Sequence, residues 1–510
     1  MAAEINEYYL QVLTPIHIGG AQEKHLVGGI DYSLRNGVIH VYDQQKLIDK
    51  VGYDAFVNAL AKGQQGMDEL IKTRRISLPE ISSAQYPITG EANDYKAIIK
   101  DGLKGRPFIP GSSIKGAIRS MLFHYLFGKE KDFKKRDWLE QAANKRIKGF
   151  VLDKNVLGEF EGSLMRFIHC SDVYFKDLSI VNTKVFNLHK ALGAWEGGWK
   201  HELRGSNNPK FQPSGFTTAY EVLPIGSVAK IRLKFNRGMF EKYNEEKPSH
   251  AKSLPPNALN LFLSKSFEEV LFELISNQTE QYLNAEKTFF EKHTIAETRA
   301  ILEQLEDVKA QNEDKHPVFR IASGSGFHSV TGDWRFEDHL QTIQKPDRVN
   351  SSKRYVRGAH YKSRRLAFKA DKQGDYRFYP MGFVRLVSSD YYEHHLKPQI
   401  EAQKEAEAKQ QQEEAETKRL RQEEESKKAE EARKPRMRTL REVKKGGIID
   451  AEVIGQKGKQ VQVKPFIEGY EGQVLGVRYP AGFPIGTIVQ IKTKVQKKQL
   501  QFVGAPRQKK

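Results

Sequence analysis

The chain has a single cysteine, Cys170, in 510 residues. That excludes an intramolecular disulfide and any thiolate zinc cluster, and Cys170 reads as a small packed side chain rather than a nucleophile. Long apolar runs are also missing: no stretch approaches the ~20 residues that a membrane-spanning helix needs. Met1 to Leu10 lacks the basic and apolar halves of a secretory signal, so the expectation is a cytoplasmic chain with no membrane partner. Acidic residues are in deficit. Lys plus Arg number 83 against 64 Asp plus Glu, a formal charge of +19 with a pI near 9.5. Such a surplus favours a polyanionic partner, nucleic acid ahead of an acidic membrane surface. His124, His169 and His328 show no HxxxH or HxH spacing, so no metal site is assigned and no cofactor is expected.

A chain of this length exceeds one ordinary core and implies about three domains or an elaborated body with an appendage. Residues 1–395 read as a globular body. Residues 396–440 form a charged linker, helical or disordered; Pro398 to Arg433 is almost entirely Glu, Lys, Arg, Gln and Ala, without the a and d apolar positions of a coiled coil. Residues 441–510 alternate in short strands, Ile448–Ile454, Gln460–Phe466, Gly472–Val477, Thr487–Lys494 and Gln499–Val503, between Gly and Pro turns, the pattern of a small OB-like β-barrel. In the body, Tyr8–Ile18, Leu164–Tyr174, Gly226–Phe235 and Phe378–Val387 read as strands, and Gln44–Leu60 and Asn257–Asn312 as helical. The mixture favours an α+β fold over a doubly wound parallel sheet.

Pro110 to Gly116 (PGSSIKG) reads as a glycine-rich loop before a helix over Gly116–Phe127, where Ile118, Met121, Leu122, Tyr125 and Leu126 recur at helical spacing. Backbone N–H groups, two hydroxyls and a lysine at a helix start can hold a phosphate. The spacing is too short for a GxxxxGK motif, and nucleotide hydrolysis is unsupported. By the residues alone the loop stays open between a phosphate site and plain capping by Ser112 or Ser113. The basic run Lys353, Arg354, Arg357, Lys362, Arg364 and Arg365, interleaved with Tyr355, His360 and Tyr361, is open between a solvated loop and a surface that pairs phosphates and stacks bases. Trp195 and Trp199 fit either a stacking thumb or core packing. His17 reads as a packed histidine. In the barrel, Phe466, Tyr470, Tyr479, Phe483 and Phe502 among many lysines are divided between core filling and RNA stacking.

Four segments occur in an order that resembles the RAMP superfamily of CRISPR proteins: Leu13-Thr14-Pro15-Ile16-His17-Ile18-Gly19-Gly20, the loop at 110–116, Met165-Arg166-Phe167-Ile168-His169-Cys170-Ser171-Asp172, and Ser323-Gly324-Ser325-Gly326-Phe327-His328-Ser329. With Glu221 to Phe235 and Tyr379-Pro380-Met381-Gly382-Phe383-Val384 the pattern is most similar to the subunit that ends the backbone filament of the type III-A (Csm) effector complex.

The resemblance spans roughly residues 5–390 and implies a ferredoxin-like, RRM-like core with large insertions. It implies guide crRNA and target RNA as partners, together with other type III-A backbone and small subunits and a trimming ribonuclease. The implied role is non-catalytic: to bind the 3′ region of the guide, cap the filament and assist crRNA maturation and antiviral defence. The RNA contacts it implies are Gly111, Ser112, Ser113, Lys115, Arg119, Gly324, Ser325 and Gly326, with Lys353, Arg354, Arg357, Arg364 and Arg365. Phosphate contacts give affinity and register without reading sequence, which suits a subunit that accepts guides of any sequence. Gly28-Gly29-Ile30-Asp31 lies where the related repeated backbone subunit carries a target-cutting aspartate. A metal-dependent endoribonuclease using Asp31 is therefore one alternative, against Asp31 as a turn cap. A general RNA-binding adaptor is the other.

Overall fold

The computed structural model describes residues 4–20, 25–88, 94–102, 105–143, 148–191, 194–201, 207–245, 254–324, 326, 345–346, 355–356, 363–371, 374–433, 437–439, 443, 447–458, 460–478, 483–496, 499–503 and 507–508. The chain divides into two compact units, Met1–Ile400 and Glu401–Lys510. In the first, the elements that matter for the site are β1 (Glu4–Val12), β2 (Asp94–Lys96), α1 (Gly111–Lys129), β3 (Ile168–Cys170), β4 (Ser179–Ala191), β5 (Ala194–Lys200), β6 (Thr218–Val222), β7 (Val228–Phe235), α2 (Phe267–Lys292), α3 (Thr298–Ala310), β8 (Val318–Arg320), β9 (Ser363–Ala370), β10 (Tyr376–Pro380) and β11 (Phe383–Ser388).

β1 alternates apolar and polar residues, so Tyr8, Leu10 and Val12 turn to one face and are buried while Glu7 turns to the other. It lies at the centre of an antiparallel sheet of order β8-β11-β1-β7-β3. α1 and α2 cover the apolar face. Ile114, Ile118, Leu122 and Leu126 of α1 and Phe267, Leu271 and Ile275 of α2 share one core with Leu10, Val12, Ile231 and Leu233. α2 starts from a capping box, in which the Ser266 side chain takes the Glu269 N–H and Glu269 returns to the Ser266 N–H.

A second sheet contains β5-β4-β6-β2 in that order, with β9 also on β4 and β10 on β9. Its core holds Phe186, Trp199, Phe368 and Phe378 with Leu283 and Phe290 from the far half of α2 and Ile301 and Leu305 of α3. Trp195 and Trp199 therefore lie on a strand. Trp199 is fully buried, stacks on Phe378 at 5.2 Å between centroids, and donates its indole N–H to Glu297 at 3.1 Å, so core packing is the reading that holds for it.

The helix expected from Gly116 starts five residues earlier, at Gly111, so the glycine-rich loop is the first turn of α1. The strand expected over Phe378–Val387 is two strands. Gly382 divides them at φ +100°, where a Cβ would lie 2.2 Å from the Ile321 carbonyl oxygen. Arg364, expected on a basic surface, points into the body: its Nε donates to both carboxylate oxygens of Glu286, at 2.7 and 2.9 Å, and its guanidinium lies 3.9 Å from the Phe289 ring centroid. The reason is strand alternation, which turns Arg364 inward.

α4 (Lys397–Arg433), which begins in the first unit and continues into the second, runs through the charged segment as one helix of 37 residues. Beyond it come β12 (Gly447–Lys457), β13 (Gln460–Pro465), β14 (Leu475–Arg478), β15 (Ile488–Gln496) and β16 (Gln499–Phe502), in the order β14-β13-β12-β15-β16 of a nearly closed five-strand barrel. Ile449, Val453, Val463, Val489 and Ile491 fill it. The two-residue period of the sequence is what made these strands readable.

Glu286→Leu leaves the Arg364 guanidinium buried opposite an apolar side chain. It is expected to remove about 3–5 kcal/mol from the unfolding free energy of the body, whereas Glu286→Leu with Arg364→Met recovers most of it. Urea unfolding followed by tryptophan fluorescence measures both; equal losses in the single and double variants would show that the ion pair is not what holds α2 to β9.

Candidate nucleic-acid interface

α1 begins against a bare backbone. A Cβ on Gly111 would sit 2.2 Å from the Cys170 carbonyl oxygen and 3.0 Å from the Ser171 carbonyl carbon, so only glycine lets the helix start this close to the end of β3. Pro110 occupies the cap position and supplies no side-chain hydrogen bond. The Gly111 N–H goes to the Asp172 carboxylate at 2.7 Å, and the Ser113 and Ile114 N–H groups go to the Pro110 carbonyl at 2.9 and 3.3 Å. Ser112 and Ser113 are therefore not caps; they stand in the first turn, with Ser112 exposed.

Lys115 is half-buried one turn along, and β3 and β7 bring His169 and Lys234 beside it. The β7–β3 register pairs Lys234 with His169 directly. Neither Lys115 nor Lys234 makes an ion pair among the described residues. By contrast Lys230 and Arg232, on the same face of β7, both bind Glu7 of β1, at 2.6 and 2.8 Å, which offsets much of their charge. The Asp172 carboxylate already takes the Gly111 N–H at the helix end, while Lys115 and Lys234 both act on His169, from the first turn of α1 and from β7.

Arg119 is committed to Asp153, whose carboxyl burial raises above the usual carboxylate range against the pull of that guanidinium. Burial pushes the Cys170 thiol up to about 12 despite Lys115, which keeps it protonated and unreactive at neutral pH.

The other expected segments meet in a second place. The Gly382 N–H donates to the Pro15 carbonyl, the Ile321 N–H to the Gly382 carbonyl and the Ser323 N–H to the His17 carbonyl, at 3.1, 2.8 and 2.9 Å. The buried His17 ring bonds the Glu221 carbonyl at 2.8 Å through Nδ1, a packed histidine. Arg320 holds the glycine turn from below: Nη2 donates to the Gly324 carbonyl at 2.8 Å, Nε to the Met381 carbonyl at 2.7 Å and Nη1 to the Tyr282 hydroxyl. Burial, with Arg364 adding like charge, lowers its guanidinium to about 9, still protonated at neutral pH. Gly324 and Gly326 have φ of +83° and +80°.

Arg365, opposite in direction to Arg364, reaches the Thr183 hydroxyl at 2.9 Å and lies 5.2 Å from the Tyr220 ring centroid. Ser325, Lys353, Arg354, Arg357, His360, Tyr361 and Lys362 lie outside the described residues. Asp31 closes its own turn, its carboxylate accepting the Val27 N–H at 2.8 Å. Among the described residues no three His, Cys, Asp or Glu side chains gather as metal donors.

Lys234 and His169 were missed from the sequence because they enter the patch by strand register, for which the only signal was the alternation of Lys230, Arg232 and Lys234 along β7. His169 carries a readable mark of the patch: desolvation, then Lys115 and Lys234, hold its imidazole below its ordinary value of 6.5. It is neutral at pH 7, and the stability this contributes is complete above pH 6.5 and lost as pH falls through the lowered value. Lys115→Met is expected to raise the His169 midpoint toward 6.5 in an NMR titration, and Gly111→Ala to shift the amide signals of residues 110–115 and 170–172 as helix and strand are forced apart. A His169 midpoint indifferent to Lys115 would sink the electrostatic description.

A family model described as the RAMP superfamily matches residues 9–315. No curated protein matches. Among solved structures, a chain from a cryo-EM structure of a Csm-crRNA-target RNA ternary complex of a type III-A CRISPR-Cas system is 18% identical; the match covers 74% of this chain and 99% of that one, with a TM-score of 0.52. Csm5 of T.onnurineus, from a crystal structure, is also 18% identical, with the same coverage and a TM-score of 0.49. With the family model covering more than half its length, the chain belongs to the RAMP superfamily.

Proposed function

We propose that this chain is a non-catalytic, RNA-holding subunit of a type III-A CRISPR ribonucleoprotein, binding the 3′ region of the guide crRNA, capping the backbone filament and assisting guide maturation. The observation that carries it is the start of α1, where Ser112, Ser113 and Lys115, with His169 and Lys234 on the adjoining strands, offer donors and charge to a phosphate, and the one carboxylate there, Asp172, is bound to the Gly111 N–H. Membership of the RAMP superfamily, and a fold shared with a chain of a complex that contains crRNA and target RNA, support that partner class. Both RNAs, other backbone and small subunits and a trimming ribonuclease are the partners proposed.

On this reading the sheet β11-β1-β7-β3 with α1 and α2 is a ferredoxin-like core and the C-terminal barrel is OB-like; the strand orders support both. The bodies proposed are 1–395, the linker 396–440 and the barrel 441–510. Gly111 acts by permitting the close approach, while Gly324, Gly326 and Arg365 form a second contact held by Arg320. The remaining cations at 353, 354 and 357 belong to the proposal on sequence grounds alone. Arg119 and Arg364 serve Asp153 and Glu286 instead.

The double variant Lys115→Ala, Lys234→Ala is expected to retain about tenfold less guide RNA in a reconstituted complex at 0.15 M salt and to lower the salt slope of binding by roughly 1.4, two single-strand phosphate contacts. RNA binding to the unaltered protein should raise the His169 midpoint, because a phosphate offsets the two lysines. Retention of guide and salt slope at the unaltered level would refute the site. Asp31→Ala is expected to leave all cleavage products unchanged; loss of a product would favour the endoribonuclease reading instead.

A further inference from the structure

The barrel has a solvent face that neither its core nor the proposed body site uses. Lys492, Lys494 and Gln496 alternate along the outer side of β15 and are exposed. Register sets Ile448 of β12 opposite Lys492 and Gln501 of β16 opposite Lys494, and the Val503 N–H donates to the Lys492 carbonyl at 2.7 Å. Ile448 and Val503 are 53% and 50% exposed, so Lys492 is flanked by aliphatic side chains left in water, one on β12 and one just past the end of β16.

Two acids, Asp450 and Glu452, share this face farther along β12, opposite Gln490 and Ile488 and not opposite the lysines. Asp450 is 6% exposed and accepts from the Gln490 amide at 3.4 Å, and no carboxylate pairs with Lys492 or Lys494 among the described residues. Residues 447–510 hold eleven Lys and Arg against four Asp and Glu.

We propose that this face binds single-stranded RNA, in addition to and independently of the patch at α1. Two lysines two residues apart on a strand are about 7 Å apart, a step comparable with that between successive phosphates of an extended strand. Ile448 and Val503 seat base faces, and the amides of Gln496 and Gln501 reach ribose hydroxyls and base edges. Tyr470 and Phe483 pack onto the barrel core, so they supply no free aromatic platform. Affinity then comes mainly from charge, which makes binding indifferent to sequence and steep in salt. An acidic polypeptide would meet the lysines but leave the aliphatic pair and the amides without a matched partner.

The full chain is titrated into a fluorescein-labelled 12-nucleotide oligouridine from 50 to 300 mM salt, as the unaltered protein and as Lys492→Ala/Lys494→Ala, Ile448→Ser/Val503→Ser and Lys115→Ala/Lys234→Ala. The barrel lysine pair is expected to weaken binding about 5- to 10-fold at 0.15 M salt and to reduce the salt slope by roughly 1.4. The aliphatic pair is expected to weaken binding 3- to 5-fold with the slope unchanged, and circular dichroism melts report that each variant keeps its barrel. Folded barrel variants that bind with unaltered affinity and slope overturn the proposal, as does equal competition by polyglutamate, which would assign the face to acidic protein. Loss confined to the Lys115 and Lys234 pair leaves the body reading standing and this one overturned; loss confined to the barrel pairs does the reverse.

Discussion

Everything in the body depends on β1 finding its two neighbours. It is bonded over eight residue pairs to β7 and over five to β11, partners more than 200 and more than 370 residues away in sequence. No local propensity pays that loop-closure cost; the compensation is burial of Tyr8, Leu10 and Val12 under α1 and α2. α2 makes the arrangement cooperative, because its first half fills the core beneath β1 and its second half fills the core of the other sheet. A body built this way rests on contacts between residues far apart in sequence.

The patch at α1 follows from that closure. With β7 beside β1 and β3 beside β7, the end of β3 presents the Cys170 carbonyl to the start of α1, and glycine at 111 is the one residue that accepts it. The same register delivers Lys234 and His169 to Lys115. Glu7 tempers the charge farther along the sheet, so the unpaired ammonium groups are those nearest the helix end. Partial neutralisation of Lys230 and Arg232 focuses the remaining field instead of abolishing it.

What was legible in the sequence shares one property: it was periodic within a single element. The α1 stripe, the five barrel strands, the charged helix and the helical block after residue 256 all carry their own pattern. What was not legible depends on partners remote in sequence. PGSSIKG looked like a loop because serine and glycine favour caps and turns; contact with Cys170 and Asp172 carries the helix back to Gly111. Arg364 looked like its basic neighbours, and only the pairing of β9 with β4 decides that it faces Glu286 while Arg365 faces Thr183. The four ordered motifs were informative about family because they separate into two contact sites, one at Gly111 and one where Pro15, His17, Ile321 and Gly382 exchange backbone hydrogen bonds.

The choice of residues at the α1 patch bears on what it is able to do. A lysine is a compact point charge and a serine hydroxyl rotates to its partner, so together they hold a phosphate without fixing the orientation of the base attached to it. Several arginines of the body, with their planar forks, are committed to protein partners: Arg119 to Asp153, Arg232 to Glu7, Arg320 to carbonyls and Arg364 to Glu286. Rigid, directional recognition is thus spent on the fold, and adaptable recognition is left at the surface. Binding of an RNA of arbitrary sequence requires that division, because affinity must come from the backbone while the bases stay free to pair.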